Sequence, residues 1–230
     1  MLVPLILLPG LLCDATLWRA QVRDLADVAA AIVPDLALDD SIEAMAARVL
    51  AAAPPVFSLA GLSMGGYVAF EILRQAPERV KRRALFSTSA AADDPARIEA
   101  RRRGIESLKL GRFAGVTSCL LPQLIHPSRI GTEIGERVKA MAKRVGGEAF
   151  LRQQQAILDR PDSRPGLPAI RVPTIVAVGD ADLLTPPGHS REIHAAIAGS
   201  TFHLFTQCGH LPALEAPEET SALLRAWLLR

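Results

Sequence analysis

Short apolar runs alternate with amphipathic stretches through the first third of the chain. Leu2 to Leu8 is almost wholly apolar and stops at Pro9-Gly10, the pattern of a strand buried on both faces. Asp14 stands where a helix would be capped, ahead of Leu17, Trp18, Val22 and Leu25 at helical spacing. Ala29 to Val33 reads as a second strand, closed by Pro34-Asp35. From Ser41 a helix places Ile42, Met45, Val49 and Leu50 on one face and ends at Pro54-Pro55. Val56 to Ala60 predicts a third strand, Met64 to Gln75 a helix stopped before Pro77, and Arg83 to Ser87 a fourth strand.

The alternation lapses between Asp93 and Arg164, where only helical patches stand out: Pro95 to Leu110, Arg137 to Val145 and Glu148 to Leu158. It resumes with a strand at Pro173 to Val178, a helix at His189 to Ile197, a strand at Ser200 to Phe205 and a helix at Pro217 to Leu229. Strands alternating with helices imply right-handed crossovers and a mostly parallel, buried sheet. The α/β class follows, with the middle segment as a helical insertion. Gln153-Gln154-Gln155 and Arg101-Arg102-Arg103 read as solvated helix faces, although the arginines could also meet an acidic carrier or a phosphate.

Composition narrows the partners. A chain of 230 residues, half of them apolar, is long enough for one sizeable core. With 26 Lys and Arg against 24 Asp and Glu, the formal charge is +2, which points to no nucleic-acid partner. Cys13, Cys119 and Cys208 are odd in number and lack metal-ligand spacing, which suits a reducing compartment. No basic residue precedes Arg19, so the apolar start is expected to be mature structure rather than a signal peptide. It is also shorter than the roughly 20 residues that span a bilayer. A cytoplasmic protein, not bound to membrane, is expected.

Gly61-Leu62-Ser63-Met64-Gly65 is the one stretch with chemistry written into it. Three fixed positions of this kind match by chance in roughly one such chain in ten, so context has to decide. Here the pentapeptide lies between an apolar strand and an amphipathic helix. Small neighbours let strand and helix approach, and the turn lifts the serine hydroxyl to a helix N-terminus, where negative charge is favoured. The competing reading is a glycine-rich turn of a nucleotide-binding domain, but neither G-x-G-x-x-G nor G-x-x-x-x-G-K-[ST] is present. A serine needs a base to take its proton. Downstream, Asp180 and Asp182 follow one strand and His210 follows another, at strand ends on the side where the serine sits.

Taken together, Gly61-Leu62-Ser63-Met64-Gly65-Gly66, the Gly179-x-x-Asp182-x-x-x-Pro186 stretch and Cys208-Gly209-His210 with Glu215 and Pro217 resemble the α/β-hydrolase family. The resemblance covers essentially the whole chain and is nearest to compact bacterial esterase-like members. It implies Ser63 as nucleophile, His210 as general base and Asp182 as orienting acid, with Asp180 the alternative acid. His126, His189, His194 and His203 lack a matching strand-end context, and Cys208 reads as a small buried neighbour. The resemblance also implies an oxyanion hole built from the backbone amides of Met64 and Leu11, with Leu12 in reserve. Proline stands at position 9 where the family often has histidine, while Gly10 is kept.

Because the chain starts directly on its first strand, a sheet trimmed to about six strands is expected. Residues 1–92 and 165–230 would form the hydrolase core. Residues 93–164 would form a helical cap over the site, with Leu108, Phe113, Leu120, Leu121, Leu124, Ile125, Met141 and Phe150 as its apolar candidates. The implied reaction is hydrolysis of a small carboxylic ester through an acyl-enzyme, with no metal or other cofactor. Carbon–carbon bond hydrolysis and cofactor-free perhydrolysis on the same triad are alternatives, and haloalkane dehalogenation is disfavoured because position 63 is not aspartate. A non-catalytic ligand-binding protein on this fold is the alternative from another class. Oligomeric state and physiological substrate leave no mark in the sequence.

Overall fold

The computed structural model describes residues 1–110, 115, 116, 118 and 120–230. Among them six strands form one parallel sheet in the order β2-β1-β3-β4-β5-β6. These are β1 (Val3–Leu8), β2 (Ala29–Ile32), β3 (Phe57–Leu62), β4 (Val80–Phe86), β5 (Thr174–Gly179) and β6 (Thr201–Phe205). The chain winds outward from β1 to β2, then returns to place β3 on the other side of β1. That reversal opens a crevice at the carboxyl ends of β1 and β3, where ligands bind in such sheets.

Alternate residues of each strand feed two apolar layers, as expected of a sheet covered on both faces. Leu5, Leu7, Leu62, Phe86 and Phe205 pack with Trp18 and Trp227 on one side. Ile6, Leu8, Leu59 and Leu85 pack with Met45, Val68 and Ile193 on the other. Helices α1 (Arg19–Asp24), α2 (Ile42–Ala52) and α3 (Met64–Gln75) follow the early strands. Ser41 caps α2 by accepting the Ala44 amide at 3.1 Å, as the sequence predicts. Asp14 instead caps a 3₁₀ turn, Ala15–Trp18, which runs directly into α1.

Two departures have simple causes. Strand β4 begins at Val80, ahead of its predicted start at Arg83, because Val80 continues the ladder to Phe57 across a register shift. Its charged residue Lys81 is exposed. Between β4 and β5 lie α4 (Pro95–Lys109), α5 (Leu121–Leu124) and α6 (Glu133–Leu158). Helix α6 breaks at Gly146, with φ 81° and ψ 175°, a conformation open to glycine and closed to most residues. The break divides it where the sequence separates its two patches. The chain ends with α7 (Pro187–Ala196), α8 (Pro212–Glu215) and α9 (Pro217–Leu228). No helix among the described residues is long and apolar enough to cross a membrane.

The polar faces assigned to the insertion need correction. Gln153 and Gln154 are buried, and only Gln155 of the three is exposed. Gln153 falls on the stripe of Ala149, Ala156 and Ile157, so helical periodicity turns it inward. Arg101 likewise turns in, pairing with Asp93 and donating to Gln154 Oε1 at 2.7 Å, while Arg102 and Arg103 stay exposed. The Asp93 carboxylate, almost inaccessible to solvent, also takes Arg160 at 2.8 Å, fastening the start of the insertion to its end.

Candidate active site

Ser63 connects β3 to α3 with φ 56° and ψ −115°, a backbone conformation that costs an L-residue about 1–3 kcal/mol. Two bonds hold it there: its amide donates to Phe86 O at 2.9 Å, and Thr88 Oγ1 donates to Ser63 O at 2.8 Å. The flanking glycines are required by close approach. A Cβ on Gly61 would stand 2.3 Å from Gly65 O, and one on Gly65 would stand 2.4 Å from Leu8 O. Strand and helix thus press together around the serine, leaving it partly exposed at the helix start.

His210 lies beyond β6 on a loop tied down by one carboxylate. Glu215 accepts the amides of Gly209, Leu211 and His126 at 2.7–3.1 Å. The ring faces Asp182, with Nδ1 at 2.9 Å from each carboxylate oxygen. Both side chains are almost fully buried. Asp182 also accepts the Leu184 and Thr185 amides at 3.0 and 2.9 Å and the Thr185 hydroxyl at 2.9 Å. Burial alone would raise its carboxyl. The charge and hydrogen bond of His210 and the Thr185 donors outweigh burial and hold it below the usual carboxylate range. Asp180 points elsewhere, accepting the Gln207 and Cys208 amides at 3.1 Å each.

Ser63 and His210 line one cavity of about 490 Å³. No hydrogen bond joins their side chains among the described residues, and such contacts often tighten only around substrate. Gly10, Leu11 and Leu12 form another part of the wall. The amides of Leu11 and Met64 donate to no acceptor among the described residues. The Leu12 amide is already committed: it donates to Gln153 Oε1 at 3.0 Å, with Leu12 at φ 58°. Gln153 in turn donates to Leu36 O at 3.2 Å, so α6 clamps the loop after β1.

From the insertion, Leu120, Leu124, Met141 and Phe150 line the cavity, whereas Leu121 and Ile125 lie in the apolar core. Leu108 is half-buried, and Phe113 and Cys119 lie outside the described residues. His126, His189, His194 and His203 do not line the cavity and bond to Ser128, Ser89, Ser200 and Glu219 respectively. Cys208 is buried, and that burial together with nearby carboxylates pushes its thiol far up, so it is no thiolate. Thr185, Gln153 and Glu215 were given no role at the site by sequence reasoning. Only Gln153, on the α6 apolar stripe, and Glu215, spaced five residues after His210, left a signal there.

The model of the alpha/beta hydrolase family matches residues 5–223. The chain belongs to the alpha/beta hydrolase family. The loops that carry Ser63, Asp182 and His210 follow β3, β5 and β6 of its parallel sheet. This alpha/beta hydrolase is an enzyme of the esterase-like kind. It is 31% identical to a thermophilic esterase from Thermogutta terrifontis solved with malate bound, with a TM-score of 0.90 over 98% of this chain and 89% of that one. It is 28% identical over 197 residues to a pimeloyl-[acyl-carrier protein] methyl ester esterase of Neisseria meningitidis, covering 80% of this chain and 74% of the relative. The enol-lactonase of Burkholderia xenovorans LB400 shares the fold, with a TM-score of 0.87 at 22% identity, over 100% of this chain and 92% of that one.

Proposed function

We infer that the protein hydrolyses a small carboxylic ester through an acyl-enzyme on Ser63. The observation that carries this is the strained serine sharing a cavity with a histidine whose Nδ1 is held by a buried carboxylate. His210 Nε2 takes the Ser63 proton as Oγ attacks the ester carbonyl. The amides of Leu11 and Met64 receive the oxyanion, and Asp182 holds the imidazole tautomer and stabilises its cation. The tetrahedral intermediate collapses, and the alcohol leaves with the proton from His210. Water, deprotonated by the same ring, then attacks the acyl-enzyme and releases the acid and free Ser63.

Residues 93–164 serve as a cap. Their apolar side chains in the cavity wall suit an aliphatic acyl group and exclude bulk water. A methyl ester is a fitting first substrate, since the Neisseria relative is a methyl ester esterase and the cavity is large enough for an extended acyl chain. Treating the folded protein with a fluorophosphonate should add one phosphonyl group to Ser63 Oγ with loss of fluoride, and peptide mass spectrometry locates it. Labelling confined to another residue, or equal labelling of unfolded protein, contradicts the proposed nucleophile.

The Gln153 clamp makes a second expectation. Gln153→Leu leaves the Leu12 amide without its acceptor and loosens the loop carrying the Leu11 amide. The turnover number should fall about 10- to 100-fold, as displaced oxyanion donors cost rate, with KM much less affected. Steady-state kinetics on a p-nitrophenyl ester check this, and a change confined to KM would contradict it.

A further inference from the structure

A second cavity, of about 240 Å³, shares Tyr67 as a wall with the one above Ser63. Its lining is largely apolar, including Ile42, Phe70, Leu73, Ala90, Pro161 and Ile170. Arg83 of β4 lines it too, with no exposed surface. Its guanidinium carbon lies 5.1 Å from the centre of the Phe70 ring, yet Nε, Nη1 and Nη2 donate to nothing among the described residues. Burial lowers the guanidinium to about 9, which still leaves it charged at neutral pH.

The other charged groups of this lining have partners. Glu71 takes Arg74 and Gln75, Arg160 reaches Asp93, and Asp162 takes Arg164. Among the described residues lining the cavity, only Arg83 lacks a counterion. A desolvated cation with all its donors unused is strongly unfavourable. A planar guanidinium fork matches a carboxylate in shape as well as sign. The apolar walls beside it match a hydrocarbon tail.

We propose that this cavity is a binding site for a small monocarboxylate, its apolar tail along Phe70, Ile42 and Leu73 and its oxygens on Arg83 once the sealed guanidinium turns from the Phe70 ring into the cavity. Arg83 does not line the Ser63 cavity, so a change there leaves the esterase machinery in place. Benzoate is a suitable probe. At matched ionic strength, sodium benzoate should raise the thermal midpoint of the full chain saturably, by about 5–10 °C at one hundred times its dissociation constant. Arg83→Met, which removes the unpaired charge and keeps an apolar filling, should abolish that shift and hydrolyse esters at the wild-type rate. An equal benzoate shift in the variant overturns the site, and an equal shift with sodium phosphate overturns the need for an apolar tail and with it the proposal. Crystals of the wild-type protein with 4-bromobenzoate give a test that does not depend on the variant folding. A bromine anomalous peak beside Phe70 supports the site, whereas a peak only above Ser63, or water alone at the guanidinium, overturns it.

Discussion

Ser63→Ala should lower the turnover number for a short-chain p-nitrophenyl ester by about 10⁴- to 10⁶-fold. The serine hydroxyl is the only group exchanged for hydrogen, and its loss removes the proposed acyl-enzyme route altogether. What survives is the small enhancement from oxyanion donors and substrate binding. The fold should survive with it. Alanine carries the same Cβ as serine, so φ 56° costs it about as much, and the bonds from Ser63 N to Phe86 O and from Thr88 Oγ1 to Ser63 O involve backbone groups that alanine keeps. The thermal midpoint is therefore expected within a degree or two of wild type. Equal rates for the two proteins would remove Ser63 as nucleophile and favour a binding protein on this fold.

How much of this was legible in the sequence depended on the range of the forces involved. Strand ends and helix starts were readable because Pro9-Gly10, Ser41 and the break before Pro77 act on their nearest neighbours. The helix Met64–Gln75 has the predicted bounds for that reason. The strand-to-helix turn at Ser63 was readable because the steric need for Gly61 and Gly65 is written beside it. Contacts between distant segments were not. The Leu12 amide meets Gln153 across 141 positions, and nothing near either residue announces the pairing. Polarity alone sent Gln153 outward, but the stripe of Ala149, Ala156 and Ile157 had already fixed its face. Arg83 sits among Ala84, Leu85 and Phe86 in a strand, yet charge gave no hint that its side chain is buried without a partner.

Asp182→Asn should lower the turnover number by about 10⁴-fold, while Asp180→Asn should change it only a few-fold. The two residues are two positions apart but meet different groups. Both Asp182 oxygens stand 2.9 Å from His210 Nδ1, so the carboxylate keeps a proton on that nitrogen and leaves Nε2 free to act as base. An asparagine here can turn its NH₂ toward Nδ1, which moves the ring proton to Nε2 and blocks proton abstraction from Ser63. It also takes away the negative charge that, in the proposed mechanism, stabilises the imidazolium during attack. Because Asp182 is held below the usual carboxylate range, that charge is present across the neutral range in the wild-type enzyme. Asp180 braces the amides of Gln207 and Cys208, and an asparagine oxygen still accepts from that loop. Its replacement should appear mainly as a lowered thermal midpoint, by a few degrees at most. Measuring kcat and the midpoint for both variants separates the two roles, and a larger loss of rate from Asp180→Asn would reverse the assignment of the acid.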